Sequence, residues 1–198
     1  MITSVLFDMD GMVVLLDEIF SDRLSRDYDV PMAKILPFFE NEFQDCLVGR
    51  ADLKHELAKY TARWGWEKSV DDLVVYWFQT QSTRDERMIE SVQRLRARGI
   101  RCSIQTNNER YRVEHLAKTL GLRDVFDDIF ASYDLGCAKP SQEFWRLIHD
   151  RLGQPTKTEM LVWDDDPENV ESARRFGFHA ELYTDVDSYS QKMGTSTR

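Results

Sequence analysis

From Asp85 onward the chain alternates amphipathic stretches with short apolar runs, and this rhythm restricts the fold more than any other feature. DERMIESVQRLRARG puts Met88, Val92 and Leu95 in line at helical spacing and stops at Gly99. IRCSIQ then alternates Ile100, Cys102 and Ile104 as a strand ending at Thr106-Asn107-Asn108. A helix is expected over about 109–120, with Val113, Leu116 and Leu120 inward and Gly121 closing it. DDIFASY reads as the next strand. Lys139-Pro140 is expected to open a helix carrying Phe144, Leu147, Ile148 and Leu152. EMLVW, PENVESARRF and FHAELY continue as strand, helix and strand, with Asp166 capping the helix and Pro167 in its first turn. With an apolar strand over 2–7, these runs predict an α/β fold, a Rossmann-like parallel sheet with helices on both faces.

Residues 12–84 break the rhythm and read as helices with no convincing strand. ADLKHELAKYTARW lines up Leu53, Leu57, Tyr60 and Trp64, and VDDLVVYWF lines up Val70, Leu73, Val74, Trp77 and Phe78. One crossover helix needs far less chain than separates Gly11 from Thr106. A helical module over 14–84 is therefore expected as an insert after the first strand, with 1–13 and 85–198 forming the sheet domain. The polar tail beginning SYSQKMGTSTR is expected to fray.

Composition bounds the function class. A chain of 198 residues with 42% hydrophobic and 31% charged residues has the balance of a soluble globular protein. A net charge of -9 argues against nucleic acid or an anionic membrane surface as partner. No membrane span and no basic leader are expected. Cys46, Cys102 and Cys137 are odd in number and lack metal-ligand spacing, which suggests reduced thiols in the cytoplasm. The four histidines are scattered singly and receive no role.

In an open α/β sheet, ligands bind beyond the carboxyl ends of the strands. Asp8 and Asp10 follow the first strand, Thr106 and Asn107 the second, Lys139 the third, and Asp164 and Asp165 the fourth. Taken singly, each has an ordinary explanation: an acidic turn, a helix cap, a surface lysine. Their convergence is what carries weight. Clustered carboxylates repel one another unless a positive charge neutralises them, and an oxygen-only donor set suits a hard cation such as Mg2+, with Lys139 helping to balance charge.

FDMDG, SIQTNN, the lysine of GCAKP and WDDDPEN, in this order, resemble the four motifs of the haloacid dehalogenase superfamily, and the resemblance covers nearly the whole chain. It implies a capped hydrolase with a C1 helical cap after strand one, of the phosphatase type. It further implies Asp8 as the nucleophile, forming an aspartyl-phosphate, and Asp10 as the general acid and base. Asp8, Asp10 and Asp165 are then expected to hold Mg2+, with Asp164 and Asn169 behind them. Thr106, Asn107 and Lys139 are expected at the phosphate, and Arg50 in the cap is a candidate substrate contact. The expected substrate is a small phosphorylated metabolite, sugar phosphates among the candidates, and the expected state a monomer or weak dimer. A 2-haloacid dehalogenase, a phosphomutase and a non-catalytic interaction module are the alternatives. The chain departs from many capped relatives in following DMDG with Met12-Val13-Val14-Leu15-Leu16, which suggests an unusually apolar cap entrance.

Overall fold

The computed structural model describes residues 1–15, 17–79 and 83–196, with side chains through Met193. Strand β1 (Ser4–Asp8) is followed by the two-residue β2 (Val14–Leu15). Five helices come next: α1 (Phe20–Tyr28), α2 (Met32–Glu40), α3 (Glu42–Leu47), α4 (Leu53–Ala58) and α5 (Val70–Phe78). The chain returns through β3 (Thr83–Arg84) and then alternates. Here α6 (Glu86–Ala97), β4 (Arg101–Thr106), α7 (Arg110–Thr119), α8 (Leu122–Val125), β5 (Asp128–Ala131) and α9 (Ser132–Leu135) follow in turn. The last elements are α10 (Gln142–Arg151), β6 (Met160–Asp164), α11 (Pro167–Phe176), β7 (His179–Leu182) and α12 (Val186–Ser196).

The main sheet is five-stranded and parallel, in the order β5-β4-β1-β6-β7. This is the expected Rossmann-like α/β architecture. Successive side chains of β1 divide between the two faces, as strand geometry requires. Val5 and Phe7 pack with Met88, Val92, Ile104 and Trp163 on one side, and Leu6 packs with Trp145, Ile148, Val162 and Ala173 on the other. Burying both faces accounts for the near-continuous apolar strands. Residues of α1 to α5 form a separate apolar cluster, rich in rings, in which Phe20 stacks on Trp77 at 4.6 Å between centroids. Register places Phe7 opposite both Ile104 and Trp163, so β1, β4 and β6 end at one level and deliver Asp8, Thr106 and Asp164 to one edge.

Four expectations need correction. Residues 12–84 are not wholly helical, because β2 and β3 pair antiparallel where the helical segment leaves and rejoins the sheet domain. Two-residue strands carry no periodicity to read. Met12, Val13 and Val14 are fully buried in the core beneath the sheet rather than lining an entrance, and Leu16 lies outside the described residues. Lys139-Pro140 does not open a helix: that peptide is cis, and α10 begins later with Ser141 as its cap. The tail forms α12, because Tyr189 and Met193, one turn apart, bury against the sheet domain; Thr197 and Arg198 lie outside the described residues.

Candidate active site

Asp8 ends β1 almost buried, and its Oδ1 accepts from the Met9 amide at 2.8 Å and from Lys139 Nζ at 2.9 Å. Lys139 Nζ also donates to Asp164 Oδ2 at 2.7 Å. Asp164 is wholly buried and accepts three further bonds, from Gln105 Nε2 at 2.9 Å and from Asn169 Nδ2 and the Asp166 amide at 3.0 Å each. Four donors commit this carboxylate to holding the lysine in place. The lysine backbone is fixed as well: the Asn107 carboxamide accepts from the Lys139 amide at 2.8 Å and donates to its carbonyl at 3.0 Å.

One ammonium cannot balance this cluster. Asp8, Asp164 and Asp165 each present an oxygen within 4.8 Å of the others, and among the described residues Lys139 pairs with Asp8 and Asp164 but not with Asp165. Burial pushes the Asp8 carboxyl up to about 7 against the pull of Lys139, and Asp164 adds to the rise. Burial and Asp164 likewise raise Asp165. In Asp164 itself burial is outweighed by Lys139, and its pKa falls. Burial also works against the Lys139 charge, but Asp8 and Asp164 prevail and hold it above the ordinary lysine value. Gly11, at φ +77°, lets the chain turn back so that Asp165 Oδ2 packs against its Cα, where a Cβ would collide. A cradle of close oxygens with excess negative charge and a residue kept bare beside one of them fits a hard divalent cation.

Asp10 lies to the side of this cluster. Its Oδ2 accepts from Asn108 Nδ2 and its Oδ1 from Arg112 Nη2. The same Asn108 nitrogen donates to Thr106 Oγ1 at 2.7 Å, tying the end of β4 to Asp10. Arg112 is 5% exposed, and its Nη1 finds no partner among the described residues. Asp10, Asn107, Asn108 and Arg112 form the polar side of a cavity of about 350 Å³, whose opposite wall comes from α1, α2, α3 and α5.

The geometry therefore brings Asp8, Lys139, Asp164, Asp165 and Asn169 together, with Asp10 and Thr106 joined through Asn108. Asn107 reaches the site as the clamp on Lys139. Arg50 is not brought there: it is solvent-facing, bonds Asp45 at 2.8 Å and lines a different crevice with Asp52 and Tyr111. Gln105, Asn108 and Arg112 were not singled out from sequence. Arg112 had a legible signal, since it lies four residues before Leu116 on the inward face of α7.

The family model for haloacid dehalogenase-like hydrolases matches residues 2–177. Phosphatase MT3486 of Mycobacterium tuberculosis is 32% identical over 93 residues, which are 46% of this chain and 42% of that protein. The match thus spans less than half of that relative's length. A haloacid dehalogenase family enzyme of Bacteroides thetaiotaomicron superposes with a TM-score of 0.85 at 16% identity, covering 97% of this chain and 98% of that one. The L-2-haloacid dehalogenase of Xanthobacter autotrophicus superposes with a TM-score of 0.67 at 20% identity, covering 100% of this chain and 84% of that one. Both likenesses are of fold. With a family model matched along most of its length, and with the ends of β1 and β6 and the segment after α9 bringing Asp8, Asp164 and Lys139 together, the chain belongs to the haloacid dehalogenase-like hydrolases.

Proposed function

We propose that this hydrolase is a Mg2+-dependent phosphatase that cleaves a small phosphate monoester through an aspartyl-phosphate on Asp8. The observation that carries this reading is the arrangement around Lys139: one buried ammonium bridges Asp8 and Asp164 while Asp165 stands beside them without a cation of its own among the described residues. Asp8, the backbone carbonyl of Asp10 and Asp165 would hold the metal. When bound, it would offset the carboxylate charge and polarise the phosphoryl oxygens. Asp8 attacks phosphorus as the bond to the leaving oxygen breaks, and Asp10 supplies the proton that oxygen takes up. Asp10 then withdraws a proton from the water that attacks the phosphoenzyme, releasing inorganic phosphate and restoring Asp8. Thr106 and Lys139 hold phosphoryl oxygens, with Asn107 fixing the lysine.

Fold likeness adds support, because the Bacteroides enzyme has also been solved in complex with magnesium and inorganic phosphate. We assign residues 14–84 as the closing cap and 1–13 with 85–198 as the catalytic domain. No helix among the described residues is long and apolar enough to cross a membrane. The three free cysteines support a reducing, cytoplasmic setting. Phosphate release from para-nitrophenyl phosphate tests the reading: it should vanish with EDTA and return with Mg2+. Halide release from 2-chloropropionate after rigorous chelation, with no phosphate release under any cation, would overturn it in favour of a dehalogenase.

A further inference from the structure

The cavity beside Asp10 has two unlike sides. Its sheet-domain side carries Asp10, Asn107, Asn108 and Arg112. Its cap side is made by Phe20, Leu36, Phe39, Phe43, Leu47 and Trp77. The rings hold one another in place: Phe39 meets Trp77 edge-on at 5.5 Å and Phe43 lies 5.4 Å from it, around the Phe20–Trp77 stack. At the rim, Leu36 is 40% exposed and Ile19 60% exposed, apolar surface left open to water next to an active site. Ser21 is the one polar side chain that the described cap residues contribute to the lining.

Position decides what this space holds. Asp10, assigned above to protonate the leaving oxygen, lines the cavity, whereas Asp8, Asp164 and Asp165 do not. The occupant is therefore the organic part of the ester, not its phosphoryl group. A hydroxyl-rich sugar could satisfy the oxygens that face the sheet-domain side, but those turned to the cap side would lie against ring carbon and lose water without gaining partners. A second phosphate or a carboxylate would meet one cation in the described lining, Arg112, whose charge is already paired with Asp10 through Nη2 and which keeps only Nη1 as an unpartnered donor, enough for one hydrogen bond to a neutral acceptor but not for a second anion. We infer that the substrates are phosphate monoesters of apolar, ring-bearing alcohols, the ring seated against the Phe39–Phe43–Trp77 wall. This rests on the phosphatase reading and replaces sugar phosphates as the expected class.

Primary-alkyl esters with leaving groups of similar basicity isolate the wall from the chemistry. With Mg2+ present, kcat/KM for phenethyl phosphate should exceed that for glycerol phosphate, and that for a hexose phosphate esterified at its primary hydroxyl, by about 10–200-fold. Leu36→Asp, at an exposed position where folding is safe, and Phe39→Ser should each narrow that ratio by about tenfold or more, mainly through KM. Equal or reversed preference, with all three esters hydrolysed, overturns the inference while leaving the phosphatase intact. A protein that hydrolyses no phosphate ester removes the phosphatase reading instead. The wall is then judged by calorimetry with phenethyl phosphonate and hydroxyethyl phosphonate. Tighter binding of the phenethyl compound with a negative heat-capacity change supports it, and equal binding refutes it.

Discussion

Asp8 and Asp10 have the same side chain two residues apart, and their surroundings separate them. Asp8 is buried against Lys139 and carries a carboxyl raised to about 7, while Asp10 sits at the cavity between Asn108 and Arg112. Asp8→Asn should therefore abolish turnover and trap no phosphoenzyme while the protein stays folded. Asp10→Asn should lose about 10²–10⁴-fold on an alkyl phosphate but far less on an aryl phosphate, whose leaving group needs little protonation. Equal losses on both would remove Asp10 from acid–base duty. The strand-end residues themselves were legible in sequence, since each follows an apolar run. The amides that orient them were not. Gln105 and Asn108 reach Asp164 and Asp10, far away in sequence, and neither periodicity nor local propensity carries that information.

Elements were legible where a long period or a cap marks them. Asp166 caps α11 ahead of Pro167, as DDPEN suggested, and α5 was legible from its apolar period, its Ser69–Asp72 capping box appearing only in the structure. Elements made by pairing escaped notice: β2 and β3 are two residues each and exist only because the ends of the insert meet. The terminal α12 escaped for a related reason, its composition being polar while its two buried anchors lie a turn apart. Tyr189 is the main anchor. It is 1% exposed, packs edge-on to Trp163 at 4.9 Å, and shares a 2.9 Å hydrogen bond with Ser91. Tyr189→Phe should cost about 1 kcal/mol by leaving Ser91 unpartnered, and Tyr189→Ala about 3–5 kcal/mol by opening a cavity. Urea unfolding followed by tryptophan fluorescence measures both. An alanine variant within a few tenths of a kcal/mol of the parent would mean that α12 contributes little to the fold.

At the scale of the molecule, the parallel α/β class was legible from the alternation of strands and helices, whereas the strand order β5-β4-β1-β6-β7 was not read from sequence and emerges only in the folded chain. The charge state of the site was not legible either, since it depends on burial created only when the strands align. That charge state links folding, pH and metal. Asp8 is raised from its ordinary 3.8 to about 7, so the folded chain holds a proton that the unfolded chain has released between those values. For an acid shifted upward, stability is greatest at low pH and falls as pH rises through this window. Glu109, whose carboxyl is raised to about 7 chiefly by burial, pulls the same way. On the proposed reading, a divalent cation at this site would need Asp8 ionised and would stabilise the folded form by mass action. Metal-free protein should therefore lose thermal stability from about pH 5 to pH 7.5, and the rise in Tm on adding Mg2+ should grow over the same interval. Glu109→Gln should flatten part of the metal-free slope without changing the Mg2+ increment, whereas Asp8→Asn should remove most of the increment at every pH. Scanning calorimetry with and without Mg2+ distinguishes these outcomes. A Mg2+ increment that is the same at pH 5 and pH 7.5, and that survives Asp8→Asn, would place the cation elsewhere on the protein.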